Sequence, residues 1–304
     1  MERRTFIQAL GAATATAAAG LPLRAQDASA TGRVTLLHTN DTHSRIEPYG
    51  PGSEKNLEGR GGMARRATLV RQVRRTTPNV LLLDAGDVFQ GTPFFNQYKG
   101  HLDYKLMSLC GYDAGTLGNH DFDNGVEGLV AAMEDAKFDF VNCNFDAKGA
   151  PKLAARLKPW IIKEFPGVKV GITGCCIDFK GLVSAKNHAG VDWREPAEAL
   201  KPVVAHLREK ERVDLVVVLS HLGFDVKSAS IDDKRLAVAV PGIDVIIGGH
   251  THTFMDAPLK IQNAAGETEI FQVGHSGVNL GRMDYAVRKG VKVASSGMAL
   301  QVLA

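Results

Sequence analysis

Short apolar runs punctuate this chain, and each one stops at a cluster of glycine and polar residues. Val34 to Leu37 stops at Asn40-Asp41, Val80 to Leu83 at Asp84 to Asp87, a run around Asp113 to Leu117 at Gly118-Asn119, Leu215 to Leu219 at Ser220-His221, and Val245 to Ile247 at Gly248-Gly249-His250. Continuous Val, Ile and Leu runs of this length, bounded by turn residues, predict buried strands. Between them, apolar residues return at helical spacing over Met63 to Arg75, Tyr104 to Leu109, Val126 to Ala136 and Ala197 to Lys210. Strand and helix alternating in this way predict an α/β fold with a largely parallel core sheet. The stretches Trp160 to Thr173 and Glu267 to Val287 predict further strands, with turns at Pro166-Gly167 and Gly274 to Gly281, forming a second sheet packed on the first. No linker or internal repeat divides the chain, so a single domain is expected.

Every apolar run carries its polar residues at its C-terminal end, where open α/β sheets place their ligand sites. Five such ends deliver Asp41-x-His43, Gly86-Asp87, Gly118-Asn119-His120-Asp121, His221 and Gly249-His250-Thr251-His252. Singly, each is a weak signal. Together they make a constellation of nitrogen and oxygen donors. Asp41 and His43 lie two residues apart at a strand end, where side-chain direction repeats with period two, so one metal accepts both. His250 and His252 repeat the spacing. Asp87 follows a glycine that lets the backbone turn tightly, and its two carboxylate oxygens suit it to bridge two cations. Two divalent cations against the two carboxylates of Asp41 and Asp87 leave the site net positive, which matches a phosphate monoester dianion. Such a pair of cations, about 3.5–4 Å apart, stabilises the attacking and leaving oxygens of an in-line displacement. His120 points away from the metal that Asn119 binds, and Asp123 is placed to hold one imidazole nitrogen while the other presents a proton to the leaving oxygen.

Composition adds limits. With 44% hydrophobic and 23% charged residues in 304, and a formal net charge of +3, the chain reads as an ordinary soluble globular protein without a nucleic-acid footprint. The densest basic run, Arg65, Arg66, Arg71, Arg74 and Arg75, has the spacing of a solvated helix face. Cys110, Cys143, Cys175 and Cys176 lack zinc-ribbon spacing and read as structural thiols. Ser220 lacks the partners of a serine hydrolase, and His275, in a Gly-rich turn that could reach the site rim, reads as a surface turn residue. At the N-terminus, Arg3-Arg4 precede an Ala, Gly and Thr-rich stretch from Ala9 to Gly20 and small residues up to Ala30. Residues 1–30 are expected to be a twin-arginine export signal, cleaved after Gln26 or after Ala28-Ser29-Ala30, and residues 31–304 the mature domain. The apolar stretch falls short of the roughly 20 strongly apolar residues of a spanning helix, so no stable membrane anchor is expected.

The ordered set of motifs resembles the calcineurin-like metallophosphoesterases. More narrowly, Leu37-His38-Thr39-Asn40-Asp41-Thr42-His43, Gly61-Gly62-Met63-Ala64-Arg65 and Gly86-Asp87 resemble the catalytic domain of periplasmic 5′-nucleotidases and UDP-sugar hydrolases, over about residues 33 to 288. The resemblance implies a four-layer α/β/β/α sandwich. It implies one metal held by Asp41, His43, Asp87 and His252, another by Asp87, Asn119, His221 and His250, and a catalytic dyad of His120 with Asp123. The metals are two divalent ions, zinc, manganese, iron or cobalt. The expected activity is hydrolysis of small phosphate monoesters, nucleotides foremost, in the periplasm or outside the cell. Phosphodiesters, nucleotide sugars or a sulfur ester, as in the thiosulfohydrolases that share this architecture, are the alternative substrates, and a metal-bound subunit with no enzyme activity is a third reading. Full-length 5′-nucleotidases continue into a C-terminal recognition domain, whereas this chain stops at Ala304 soon after Gly281-Arg282-Met283-Asp284. Loose selectivity, or a separately encoded recognition domain that docks here, is therefore expected.

Overall fold

A computed structural model describes residues 30–54, 56–227, 230–288 and 290–303. Residues 1–29 of the expected export signal lie outside the described residues. In chain order the strands are β1 (Gly32–Thr39), β2 (Val80–Asp84), β3 (Ala114–Gly115), β4 (Asp139–Val141), β5 (Phe145–Asp146), β6 (Leu157–Lys158), β7 (Trp160–Phe165), β8 (Val168–Cys176), β9 (Asp192–Trp193), β10 (Leu215–His221), β11 (Val245–Gly248), β12 (Leu259–Asn263), β13 (Gly266–Phe271), β14 (Asn279–Arg288) and β15 (Val291–Gln301). One large sheet runs β15-β14-β1-β2-β3-β4-β6 and a second β12-β13-β11-β10-β8-β7, while β5 and β9 pair by themselves in a small two-stranded sheet. Each is parallel at its centre: β1, β2, β3, β4 and β6 in the first, β8, β10, β11 and β13 in the second.

The sheets lie face to face. Val34, Leu36, Leu81 and Leu83 pack against Val170, Ile172, Val217, Leu219 and Ile247 in one buried layer. Because side chains alternate across a strand, Leu37 and Leu82 face the other way, onto the helices Met63–Thr76 and His101–Cys110. Val216, Val218 and Ile246 face Leu200, Val204 and Leu207 of the helix Pro196–Glu209 and Leu236 of the helix Asp233–Ala239. Helix, sheet, sheet and helix are thus the four layers that the resemblance implies. Strands covered on both faces need apolar residues at every position, which is why these runs read as continuous rather than alternating.

Strand partnership corrects the sequence reading. The parallel runs do not form a single core sheet: β10 and β11 pair with β8 and β13 in the second sheet, and β14 returns to the first as the antiparallel neighbour of β1. Apolar runs of equal character do not encode their neighbours. The helix Met63–Thr76 brings a second correction, since Arg66 lies fully buried while Arg65 and Arg71 remain at the surface. Arg66 Nη1 donates to the Tyr112 hydroxyl over 3.3 Å. No helix among the described residues is long and apolar enough to cross a membrane.

Candidate metal centre

The parallel strands of both sheets end at one edge, and the predicted site residues gather there. Asp41 and His43 follow β1, Asp87 follows β2, Asn119 follows β3, His221 closes β10, and His250 and His252 follow β11. Strand periodicity is not what aligns Asp41 with His43. β1 ends at Thr39, and the two residues lie in the loop with φ of 50° and 47°. Asp87, His250 and His252 are left-handed too, at 53°, 73° and 53°. This conformation is uncommon without glycine, Asp and His tolerate it better than most, and it costs of order 1–3 kcal/mol per residue. Five site residues held this way mark the edge as a place where local strain is balanced by the surrounding framework. Gly86, at φ 89°, supplies the turn that delivers Asp87.

Backbone hydrogen bonds fasten the loops together. Asp41 N–H donates to Gly86 O over 2.9 Å, His43 N–H to Asp87 O over 3.1 Å, and Ser276 N–H, from beyond β13, to Asp41 O over 2.7 Å. Asn40 ties the two sheets: its amide donates to Gly274 O and its carbonyl accepts from Val273 N–H. Asp121 accepts N–H groups from Gly118, Asp87, Val88 and Phe89 at 2.7–3.2 Å, so one buried carboxylate sets the course of two loops. Asp121 stood in the sequence motif without a role, and Asn40 stood beside Asp41. Only the folded loops reveal what either one holds.

Two groups of facing donors result among the described residues, Asp41 with His43 and His252, and Asp87 with His221 and His250. Their hydrogen bonding fits cations. His221 Nδ1 lies 2.8 Å from the Ala85 carbonyl and must carry a proton, and Nε2, aimed at Asp87 Oδ2 over 3.1 Å, holds either a second proton or a cation toward that carboxylate. His43 repeats the arrangement, with Nδ1 against Phe89 O at 3.1 Å and Nε2 3.0 Å from His252 Nε2. A cation shared between such closely opposed atoms would take the place of the proton that otherwise joins them. Burial lowers the His43 pKa, and burial together with His221 lowers that of His250 to about 4, which keeps both imidazoles neutral and able to ligate. His221 behaves oppositely: burial would lower it, but the charges of Asp87 and Asp41 raise it to about 10. That rise expresses the demand of the two carboxylates for positive charge at this spot. Asn119 Oδ1 lies 3.0 Å from His250 Nδ1, at the second group.

His120 stands next to this cluster, its ring centroid 5.5 Å from that of His43, and its N–H donates to Asp87 Oδ1 over 2.8 Å. Its Nδ1 meets Asp123 Oδ2 at 2.9 Å, and that hydrogen bond raises the His120 pKa. A cavity of about 370 Å³ opens over the cluster, lined by His43, Asp87, Asn119, His120, His250 and His252 and by residues the sequence reading did not single out, among them Arg45, Tyr49 and Leu182. His275 lies beside the cluster, its ring centroid 5.0 Å from that of His252 and tilted 37° to it. Ser220 donates to buried Asp233, and all four cysteines are free thiols.

The sequence model of the calcineurin-like phosphoesterase family matches residues 34–254. The 5′-nucleotidase of Rattus norvegicus is 40% identical over 228 residues, which cover 73% of this chain and 38% of that protein. The trifunctional nucleotide phosphoesterase protein YfkN of Bacillus subtilis is 32% identical over 290 residues, 85% of this chain and 18% of that protein. Among solved structures, a 5′-nucleotidase precursor from Thermus thermophilus superposes with a TM-score of 0.81 at 34% identity, covering 89% of this chain and 54% of the other. The chain thus spans well under half the length of the rat relative and about half of the Thermus one.

Proposed function

The chain belongs to the calcineurin-like phosphoesterase family of metal-dependent hydrolases, and from that premise we propose that it is an exported phosphomonoesterase acting on nucleotides through two divalent metal ions. Asp41, His43, Asp87 and His252 would hold one ion, and Asp87, Asn119, His221 and His250 the other, zinc, manganese, iron and cobalt all suiting these donors. When bound, the ions supply Lewis acidity and a water made nucleophilic at neutral pH. The protein's own part is orientation and proton transfer. Asp123 fixes the His120 imidazole by the 2.9 Å hydrogen bond at Nδ1, leaving Nε2 to protonate the departing alkoxide. Asp121 and Asn40 keep the loops in register, so that the phosphoryl group meets donors already in place.

The observation that carries this reading is the pair of donor groups, Asp41 with His43 and His252 and Asp87 with His221 and His250, converging at one sheet edge. Nucleotides are favoured because the relatives named above are nucleotide phosphoesterases. The test is metal analysis of the purified protein, followed by phosphate release from nucleoside monophosphates, cyclic nucleotides and sugar nucleotides. Two metals per chain with monophosphates turned over fastest are expected. Metal-replete protein inert toward every ester would refute the proposal. A separately encoded recognition domain would extend it, lowering KM for nucleotides when added; an unchanged KM counts against that extension. For export, changing Arg3 and Arg4 together to Lys should abolish periplasmic accumulation, and full accumulation would remove the twin-arginine assignment.

A further inference from the structure

Two residues beyond His43, the same loop presents a cation to the cavity. Arg45 lines it together with His43, Asp87 and His120. Its guanidinium carbon sits 4.2 Å from the centroid of the Tyr49 ring, and its Nε is buried without a hydrogen-bond partner. No hydrogen bond or ion pair to its guanidinium occurs among the described residues. A half-buried arginine in a protein generally spends its five donors on carboxylates or carbonyls, as Arg74 and Arg208 do here.

The platform under Arg45 is fixed rather than incidental. The Tyr49 hydroxyl donates to Ser276 Oγ over 2.9 Å, and Ser276 N–H donates to Asp41 O over 2.7 Å. Arg45 N–H itself donates to Thr42 O over 3.0 Å, one residue from His43. Ring, arginine and metal loop therefore form one connected unit. Stacking on an aromatic face holds a guanidinium plane without consuming its N–H groups, and a planar fork of free donors matches two oxygens of a phosphate.

We propose that Arg45, held on Tyr49, is a substrate-binding residue of this chain that grips the non-bridging oxygens of the phosphoryl group entering the cavity. The assignment rests on the phosphoesterase reading but specifies what that reading leaves open, namely which group other than the metals selects a dianion. The cavity then favours phosphomonoesters over diesters, because a monoester offers three non-bridging oxygens to the metals and the fork together and a diester only two.

The test is calorimetric titration of the metal-loaded protein with inorganic phosphate, in the wild type and in Arg45→Gln, Arg45→Lys, Tyr49→Leu and, as a control for net charge, Arg71→Gln. Loss of charge-assisted hydrogen bonds predicts that Arg45→Gln weakens phosphate binding about 10- to 100-fold. Arg45→Lys should recover part of this, since an ammonium keeps the charge and loses the fork. Tyr49→Leu should weaken binding several-fold with Arg45 still present. In steady-state assays with p-nitrophenyl phosphate, the loss in Arg45→Gln should fall more on KM than on kcat, with metal content as in the wild type. Phosphate affinity in Arg45→Gln equal to that in Arg71→Gln overturns the inference. So does metal loss in Arg45→Gln that Arg45→Lys does not restore. If the wild type binds phosphate through Arg45 yet hydrolyses no phosphate ester, the proposed function fails and this assignment stands. If hydrolysis is found and Arg45→Gln binds phosphate normally, only this assignment falls.

Discussion

Adding one methyl group at Gly118 should damage the proposed metal centre without replacing any of its ligands. A Cβ built there would stand 2.2 Å from Asp87 Oδ1, 2.6 Å from Asp87 N and 2.7 Å from His221 Cε1. Ordinary contact between carbon and oxygen begins near 3.4 Å, so the Asp87 carboxylate would have to retreat by roughly 1 Å. It would also leave the His120 N–H that it now accepts at 2.8 Å. Functional geometry tolerates about 0.5 Å, and a misplacement of about 1 Å costs on the order of 100-fold in rate. Displacing a ligand contact weakens metal affinity by about 10- to 100-fold, and overpacking a buried site costs about 1–3 kcal/mol. Gly118→Ala is therefore expected to bind metal at least tenfold more weakly and to turn over p-nitrophenyl phosphate about 100-fold more slowly, with a modest fall in Tm. Gly50→Ala, whose added Cβ meets nothing within 4 Å, should behave as the wild type. Metal stoichiometry by elemental analysis, initial rates and thermal melts measure all three quantities. Wild-type metal content and turnover within about threefold in Gly118→Ala would refute the placement of Asp87 at the centre of the site.

Replacing His120 with Asn should slow turnover about 100-fold or more while metal content stays near two per chain, whereas Asp87→Asn should lose metal as well; equal metal loss in both variants would remove His120 from its role as proton donor. Asp121→Asn leaves a single carbonyl oxygen for four backbone N–H groups, so metal titration should show about 10- to 100-fold weaker binding, and unaltered binding would mean that the loops hold themselves. Arg66→Ala leaves a buried cavity and removes one of the two partners of the Tyr112 hydroxyl, Thr39 Oγ1 at 2.7 Å being the other, and should cost about 2–5 kcal/mol in chemical denaturation, against no more than about 0.5 kcal/mol for Arg65→Ala; similar values for the two would put Arg66 back on the solvated face.

The elements and the edge that carries the chemistry were legible in the residues. Val80 to Leu83 and Leu215 to Leu219 are apolar at every position because their strands are covered on both faces, and that pattern is local. The candidate donors were legible because the proposed metal chemistry needs Asp, Asn and His, and because those residues fall at strand ends where a parallel sheet leaves its loops. Which strands are neighbours was not legible. β10 and β14 exchanged the sheets expected of them because pairing depends on partners far away in the chain, and such contacts leave no mark on a short run. Side-chain direction beyond the strand ends was equally hidden: Asp41 and His43 converge through left-handed loop conformations held by Gly86 and Ser276, not through the two-residue period of a strand. The burial of Arg66 and the free donors of Arg45 differ for a similar reason. Both are arginines next to a functional segment, and only their surroundings, Tyr112 in the interior and Tyr49 at the cavity, separate a structural cation from one facing the substrate. Sequence determined the chemistry available and the edge where it gathers, since both follow from residue type and local pattern. Tertiary structure decided which donor atoms face each other, since that distance is set by loops from two different sheets.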